Sequence, residues 1–156
     1  MIVHPNSTVE VSGVMKYFLG EYLQVMDGKN RIFIPSKYRD IVGDHLYITR
    51  NPDGHCLSLY SDEGWDEYSA EVMAMPKSES GDIKRSIFTY TMEAKPDAQG
   101  RVVLTQQLRE YAEITKDIYI IGAGDHAEIW NKECYEAHMA AVEEAELLGV
   151  MQKHNF

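Results

Sequence analysis

LQVMDGKNRIFIPSKYRD at 23–40 and EAKPDAQGRVVLTQQLRE at 93–110 are two versions of one segment. At a constant offset of seventy residues Asp27 meets Asp97, Arg31 meets Arg101, Ile32 meets Val102, Ile34 meets Leu104 and Arg39 meets Arg109. Beyond them, DHLYI at 44–48 is answered by DIYI at 117–120, two residues out of step. The original register returns further on, where Tyr60 meets Trp130 and Trp65 meets Tyr135. Three such blocks in one order point to a duplicated unit, and self-similarity of this kind decides the architecture before any single element does.

At the heart of each copy lies a short turn, DGKNR at 27–31 and DAQGR at 97–101. An aspartate opening a tight turn accepts a hydrogen bond from a backbone N–H two residues on, so Asp27 and Asp97 are expected to shape the bend. Asn30 and Gly100 hold the fourth position, and both residue types tolerate positive φ. Arg31 and Arg101 then leave the turn at a fixed angle on the next strand. A planar guanidinium fork so placed suits a phosphate or a guanine edge. Lys29 and Gln99 occupy the two tips, and Arg39 and Arg109 repeat nearby, which makes all six candidates for DNA contact. In a single copy, Asp and Arg pairing across a hairpin would explain the spacing. Repetition favours the functional reading, and both can hold together.

Outward from the turns, each half has the same plan. LGEYLQV (19–25) and TMEAK (91–95) are expected as strands, followed by RIFI and RVVL as short apolar strands. SKYRDIV and TQQLREY give one or two helical turns; LYITR with CLSLY, and IYIIG with AEIW, give further strands. In 62–75, Trp65, Tyr68, Val72 and Met75 recur at helical spacing, Ser61 is the N-cap, and Pro76 ends the helix. A second helix, 79–90, carries Ile83, Ile87 and Tyr90 and links the halves. A last helix, 132–148, has Asn131 as its cap, a stripe of Tyr135, Met139 and Val142, and Gly149 beyond its end. The expected division is therefore a flexible leader at 1–16, a first unit at 17–75, the linking helix at 76–90, a second unit at 91–148 and a tail at 149–156. Met15 is an alternative start.

The chain has 156 residues and a formal net charge of −10. Taken whole, that charge opposes nucleic acid, but its distribution matters more than its sum. Residues 16–50 and 84–116 each carry +2, whereas 61–82 and 117–156 each carry −6. The turns thus sit in the basic-leaning blocks and the acid sits on the helices. Two cysteines, Cys56 and Cys134, are too few for a disulfide framework and fit a reducing cytosol. No run approaches the ~20 apolar residues of a membrane span.

The runs YFLGEYLQVMDGKNRIFIPSKYRD (17–40), DAQGRVVLTQQLREYA (97–112) and GAGDHAEIWNKECYE (122–136) resemble the MraZ family of bacterial transcriptional regulators. The resemblance covers 17–146, and the duplicated D-x-x-x-R pattern is the family's signature. It implies an α+β fold in which two tandem AbrB-like, β-hairpin-rich units swap hairpins about a pseudo-twofold axis, flanked by helices. It further implies ring-shaped homo-oligomers that bind double-stranded promoter repeats upstream of the division and cell wall genes, in the cytoplasm on the nucleoid. Asp27, Arg31, Asp97 and Arg101 match the motif, and Lys29 matches its usual basic tip. Asn30 stands where the family usually has glycine. Thr105 stands where the first copy has Pro35, so a looser second turn is expected. The leader is longer than usual.

Other chemistry is weaker. IGAGDHA (121–127) imitates a dinucleotide loop, but β-like AEIW follows where a helix is required. Cys134 and His138 form half of a zinc site without a second pair, and His55 and Cys56 alternate across a strand. Neither a nucleophile elbow nor a Walker loop occurs in the sequence, and Glu143, Glu144 and Glu146 form a solvated helix face. No cofactor, metal or enzymatic activity is expected. The competing class is an AbrB-type interaction or antitoxin-like module that assembles oligomers, with DNA binding secondary.

Overall fold

A computed structural model describes residues 16–156. The expected leader falls, except for Lys16, outside the described residues. The first half runs β1 (Glu21–Val25), β2 (Arg31–Phe33), α1 (Ser36–Val42), β3 (Leu46–Asn51), β4 (Cys56–Tyr60), α2 (Asp62–Met73) and α3 (Lys77–Phe88). The second half repeats it as β5 (Met92–Ala94), β6 (Arg101–Val103), α4 (Gln106–Tyr111), β7 (Asp117–Gly122), β8 (Ala127–Asn131), α5 (Lys132–Ala140) and α6 (Glu144–Lys153).

Pairing, rather than order, makes the fold. The larger sheet has six antiparallel strands in the order β1-β7-β8-β4-β3-β5, and β2 and β6 form a separate two-stranded ribbon. The first strand of each half therefore lies against the other half: Gln24 opposes Ile118 on β7, and Ala94 opposes Leu46 on β3. This exchange is the swapped-hairpin arrangement. Two central pairings mark the pseudo-twofold axis, Ile32 opposite Val102 and Ser58 opposite Glu128, each joining positions seventy residues apart. The two-residue slip in the repeat enters between α4 and β7, where Leu46 and Ile118 hold equivalent places, and is removed in the turn before β8, where Ser58 opposes Glu128.

Alternation of side chains along the ribbon sends Ile32 and Val102 inward and leaves Arg31, Phe33, Arg101 and Val103 on the other face. Beneath it lies one continuous core drawn from both halves, including Ile34, Tyr38, Ile48, Leu59, Leu104, Leu108, Ile120 and Ile129. Burying a side chain of this class stabilises by roughly 1.5–3 kcal/mol, so neither half has a reason to fold around its own strands alone. One set of apolar positions shared by two units ties their folding together.

Local signals locate most helices. Ser61 Oγ accepts from Gly64 N–H, with Asp62 and Glu63 in the first turn of α2. Trp65 stacks on Tyr47, Tyr68 stacks on Tyr60, and Val72 is buried. The helix stops at Met73, so Met75 lies just past its end, and Pro76 instead opens α3, two residues earlier than expected. Thr105 caps α4 through its hydroxyl, which accepts from Leu108 N–H.

The C-terminal expectation is corrected. In place of one helix over 132–148 there are two, α5 and α6, separated by residues 141–143. Asn131 does cap α5, accepting from Cys134 N–H. Glycine at 149 does not end a helix; it lies within α6, which continues through the expected tail to Lys153. Of the expected stripe, Tyr135 packs on Tyr119 and Trp130, whereas Met139 and Val142 are exposed. With nothing buried beyond Tyr135, packing does not hold the segment to one continuous helix.

Candidate nucleic-acid interface

Both turns close in the same way. Asp27 Oδ1 accepts from the backbone N–H of Lys29 and of Arg31, each at 2.9 Å. Asp97 Oδ1 accepts from Gln99 and Arg101, again at 2.9 Å each. The backbone N–H of Asn30 donates to Asp27 O at 3.0 Å, and that of Gly100 donates to Asp97 O at 2.9 Å. Asn30 has φ 61° and Gly100 φ 80°, the left-handed geometry for which asparagine and glycine are suited. The substitution of Thr for Pro at 105 does not loosen the second turn; the same bonds close it.

Each arginine is tethered by its own aspartate. Arg31 Nε donates to Asp27 Oδ2 at 2.6 Å, and Arg101 Nε donates to Asp97 Oδ2 at 2.9 Å. Among the described residues, neither guanidinium has another hydrogen-bond partner. The two Arg side chains remain 27% and 22% exposed on the outer face of the ribbon. The carboxylates thus orient the forks, and among the described residues the terminal Nη nitrogens have no protein partner. Backbone N–H donation, from Arg31 at Asp27 and from Arg101 at Asp97, is the leading reason both carboxyls sit below the usual aspartate range.

Register fixes the pattern on that face. Arg31 lies across from Val103 and Arg101 across from Phe33, so two arginines occupy one diagonal and two exposed apolar side chains the other. Lys29 and Gln99 stand exposed at the turn tips. A DNA major groove admits a two-stranded β-ribbon, and there guanidinium forks can read guanine and apolar side chains can touch thymine methyls.

Arg39 and Arg109 are differently employed. Arg39 Nε donates to Ile34 O at 3.1 Å, and Arg109 Nη1 donates to Leu104 O. Those same residues cross the axis through their N–H groups, Ile34 to Gly100 O at 2.8 Å and Leu104 to Asn30 O at 3.0 Å. Both arginines sit behind the turns, holding the chain that leaves each ribbon strand. Sequence spacing repeats them but does not show that they turn toward a carbonyl five residues back.

Two features escaped the sequence reading. Gln24 acts as a side-chain rung between β1 and the ribbon, donating to Phe33 O at 2.7 Å and accepting from Phe33 N–H at 2.8 Å. Its counterpart seventy residues on is Ala94, which cannot do this. The second is a polar cluster around Glu128, which accepts from His126 Nε2 and Trp130 Nε1, each at 3.0 Å, and from Asn51 Nδ2 at 3.1 Å. Asp125 holds the other His126 nitrogen at 2.7 Å. Burial pulls the imidazole pKa down, but bonds to Glu128 and Asp125 outweigh it and raise the value above the ordinary one. Asn51 is 77 positions from Glu128, a separation at which no local spacing rule operates.

The glycines of 121–127 serve the sheet. A Cβ on Gly122 would stand 2.3 Å from Phe18 O, so only glycine lets the segment before β1 lie there. Cys134 Sγ lies 3.8 Å from a Glu113 carboxylate oxygen, and His138 tilts against Trp130. Among the described residues no group of three metal-ligating side chains gathers, and no helix is long and apolar enough to cross a membrane.

Comparison with known proteins agrees with the duplication. The family model described as "MraZ protein, putative antitoxin-like" matches twice, at residues 17–83 and 87–150. The "Transcriptional regulator MraZ" of Acetivibrio thermocellus is 38% identical over 124 residues, spanning 78% of this chain and 85% of that protein. Its namesake from Carboxydothermus hydrogenoformans is 36% identical over 120 residues, 76% and 83% of the two chains. That of Desulfitobacterium hafniense is 33% identical over 130 residues, 82% and 90%. Both halves match a family of regulators, not of enzymes. With its domain present twice in tandem, joined by exchanged strands, the chain belongs to the MraZ family.

Proposed function

We propose that this protein is a sequence-specific DNA-binding transcriptional regulator that lays its β2–β6 ribbon on promoter DNA. The observation that carries the reading is the pair of diagonal arginines, Arg31 and Arg101, each oriented through Nε by an aspartate and free at its Nη edge of protein partners among the described residues. Lys29 and Gln99 at the tips add contacts to phosphate or base. Arg39 and Arg109 act behind them as positioning residues. The name shared by the relatives, transcriptional regulator, agrees with this reading.

One ribbon offers few cations on a chain of net charge −10, so affinity has to come from several copies engaging several sites. A homo-oligomer, closed as a ring, facing repeated boxes before the division and cell wall genes answers that need. The protein then works in the cytoplasm, on the nucleoid.

A second reading is an antitoxin-like interaction module in which assembly is primary. Both the wording of the family description and the acidic total favour it. Binding to the organism's own division-cluster promoter across a salt series separates the two. Arginine–phosphate contacts make log K fall with log salt at a slope of about −0.9 per phosphate neutralised. Flat or absent binding defeats the DNA reading.

A further inference from the structure

We propose that α6 of one copy docks into the groove beside β1 of the next copy, so that chains join head to tail. The proposal deepens the reading that several copies act together, and it rests on that reading. Its basis is a pair of asymmetries between two halves that share one plan.

The first asymmetry is at the sheet edges. β1 and β5 are swap-related edge strands, yet Leu23 on β1 is answered by Glu93 on β5, Val25 by Lys95, and Leu19 by Thr89. Leu19 is 69% exposed and Leu23 56% exposed. Beside them runs a groove of about 390 Å³, with Tyr17, Leu19 and Ile41 as its apolar surface and Lys16, Lys37 and Asp40 as its charges. It adjoins a second groove that shares Tyr22 and Lys37 and reaches Leu23. One edge is charged as a solvated edge should be, and the other keeps apolar side chains in water.

The second asymmetry is in the terminal helices. After β4, α3 lies back on α2, with Phe88 edge-on to Trp65 and Ser80 buried. After β8, α6 holds the same place in the order of elements, but none of its ten residues is buried. Leu147, Leu148, Val150 and Met151 nevertheless gather at helical spacing, each 38% or more exposed. Glu143, Glu144 and Glu146 surround the start of that helix.

The two orphan surfaces complement each other. An amphipathic helix laying its apolar side in an apolar groove is a recurrent recognition mode, and here an acidic helix start meets a groove with two lysines to one aspartate. The surfaces differ from one another, so the contact is heterologous: each copy gives one helix and receives one. Such a contact either closes into a ring or continues as a filament.

Sedimentation of the full chain tests this with two variants. Leu148→Glu/Met151→Glu removes the donor, and Leu19→Glu/Leu23→Glu removes the acceptor; all four positions are exposed, and a retained cooperative thermal unfolding transition confirms that each variant folds, even where loss of assembly lowers its midpoint. The wild type is expected as a multiple of 17.8 kDa, and each variant alone as a single chain of that mass. Mixing the two is expected to restore a complex of two chains, because one intact helix then meets one intact groove. A donor variant that still assembles overturns the proposal, as does an acceptor variant that self-associates through α6 alone. A mixture that stays single-chain also overturns it, and so does a wild type that is single-chain throughout. If the wild type assembles but the donor variant does too, only the docking falls and the many-copy reading stands. If mixing behaves as stated while promoter DNA goes unbound, the docking stands and the DNA reading falls.

Discussion

Arg39 lies over Gly100 of the opposite half so closely that a Cβ on Gly100 would stand 2.8 Å from the Arg39 Cζ atom. The helix that follows one turn therefore restrains the other turn, and the two ribbon ends are built as a unit. Because Arg39 also holds Ile34 O, and Ile34 N–H holds Gly100 O, one side chain joins strand exit to turn across the pseudo-twofold axis.

From that contact follows an unequal response to substitution at matched positions. Gly100→Ala puts a side chain at φ 80° and against the guanidinium, and is expected to cost at least about 1–2 kcal/mol in denaturant unfolding. Asn30→Gly keeps the left-handed turn and is expected to stay within about 0.5 kcal/mol of the wild type. Equal costs at the two positions would show that the crossing contact does not restrain the turn.

Removing an acidic residue from a DNA-facing surface ordinarily strengthens binding. Here Asp27→Ala is expected to weaken it, by roughly tenfold or more, because two backbone N–H groups and the Arg31 fork lose the carboxylate that places them. Fluorescence anisotropy with promoter DNA reads the sign directly. The same carboxyl has its pKa lowered by backbone donation, so its stabilisation is present above the ordinary aspartate value and is lost only as pH falls through the lower folded value. The turn should hold throughout the neutral and mildly acid range. A gain in affinity for Asp27→Ala contradicts this account of the turn.

His126 gives a pH-dependent contribution of opposite sense. Its pKa is raised in the folded protein, so its stabilisation is complete below about 6.5, the ordinary histidine value, and is lost as pH rises through the higher folded value. The melting temperature of the wild type should exceed that of His126→Gln by a margin that is largest in mild acid and shrinks above neutrality. A margin that grows with pH would mean that the Glu128 cluster holds a neutral imidazole instead.

The duplication made much of this fold readable, since repeated Asp27/Asp97 and Arg31/Arg101 pairs lie at one offset and need no knowledge of the pairing partner. Turn chemistry was equally legible, because Asn30 and Gly100 differ in type yet share a backbone requirement. What stayed hidden was set by distance along the chain. The Gln24 rung, the Arg39 contact with Gly100 and the Asn51–Glu128 bond join segments through single polar atoms, and no periodicity announces them. The expected single C-terminal helix gives way to two for a related reason. Met139 and Val142 carry a helical stripe that no surface among the described residues covers, so pattern alone suggests packing that the described residues do not provide.

The central claim is that Arg31 and Arg101 together meet DNA, and matched turns mean they should matter alike. The decisive measurement is the affinity of Arg31→Ala and of Arg101→Ala for division-cluster promoter DNA across a salt series, with assembly size checked by sedimentation. Both variants should lose most specific binding, to similar extents and with shallower salt slopes than the wild type, while their assembly stays unchanged. Wild-type affinity and slope in either variant would contradict the claim.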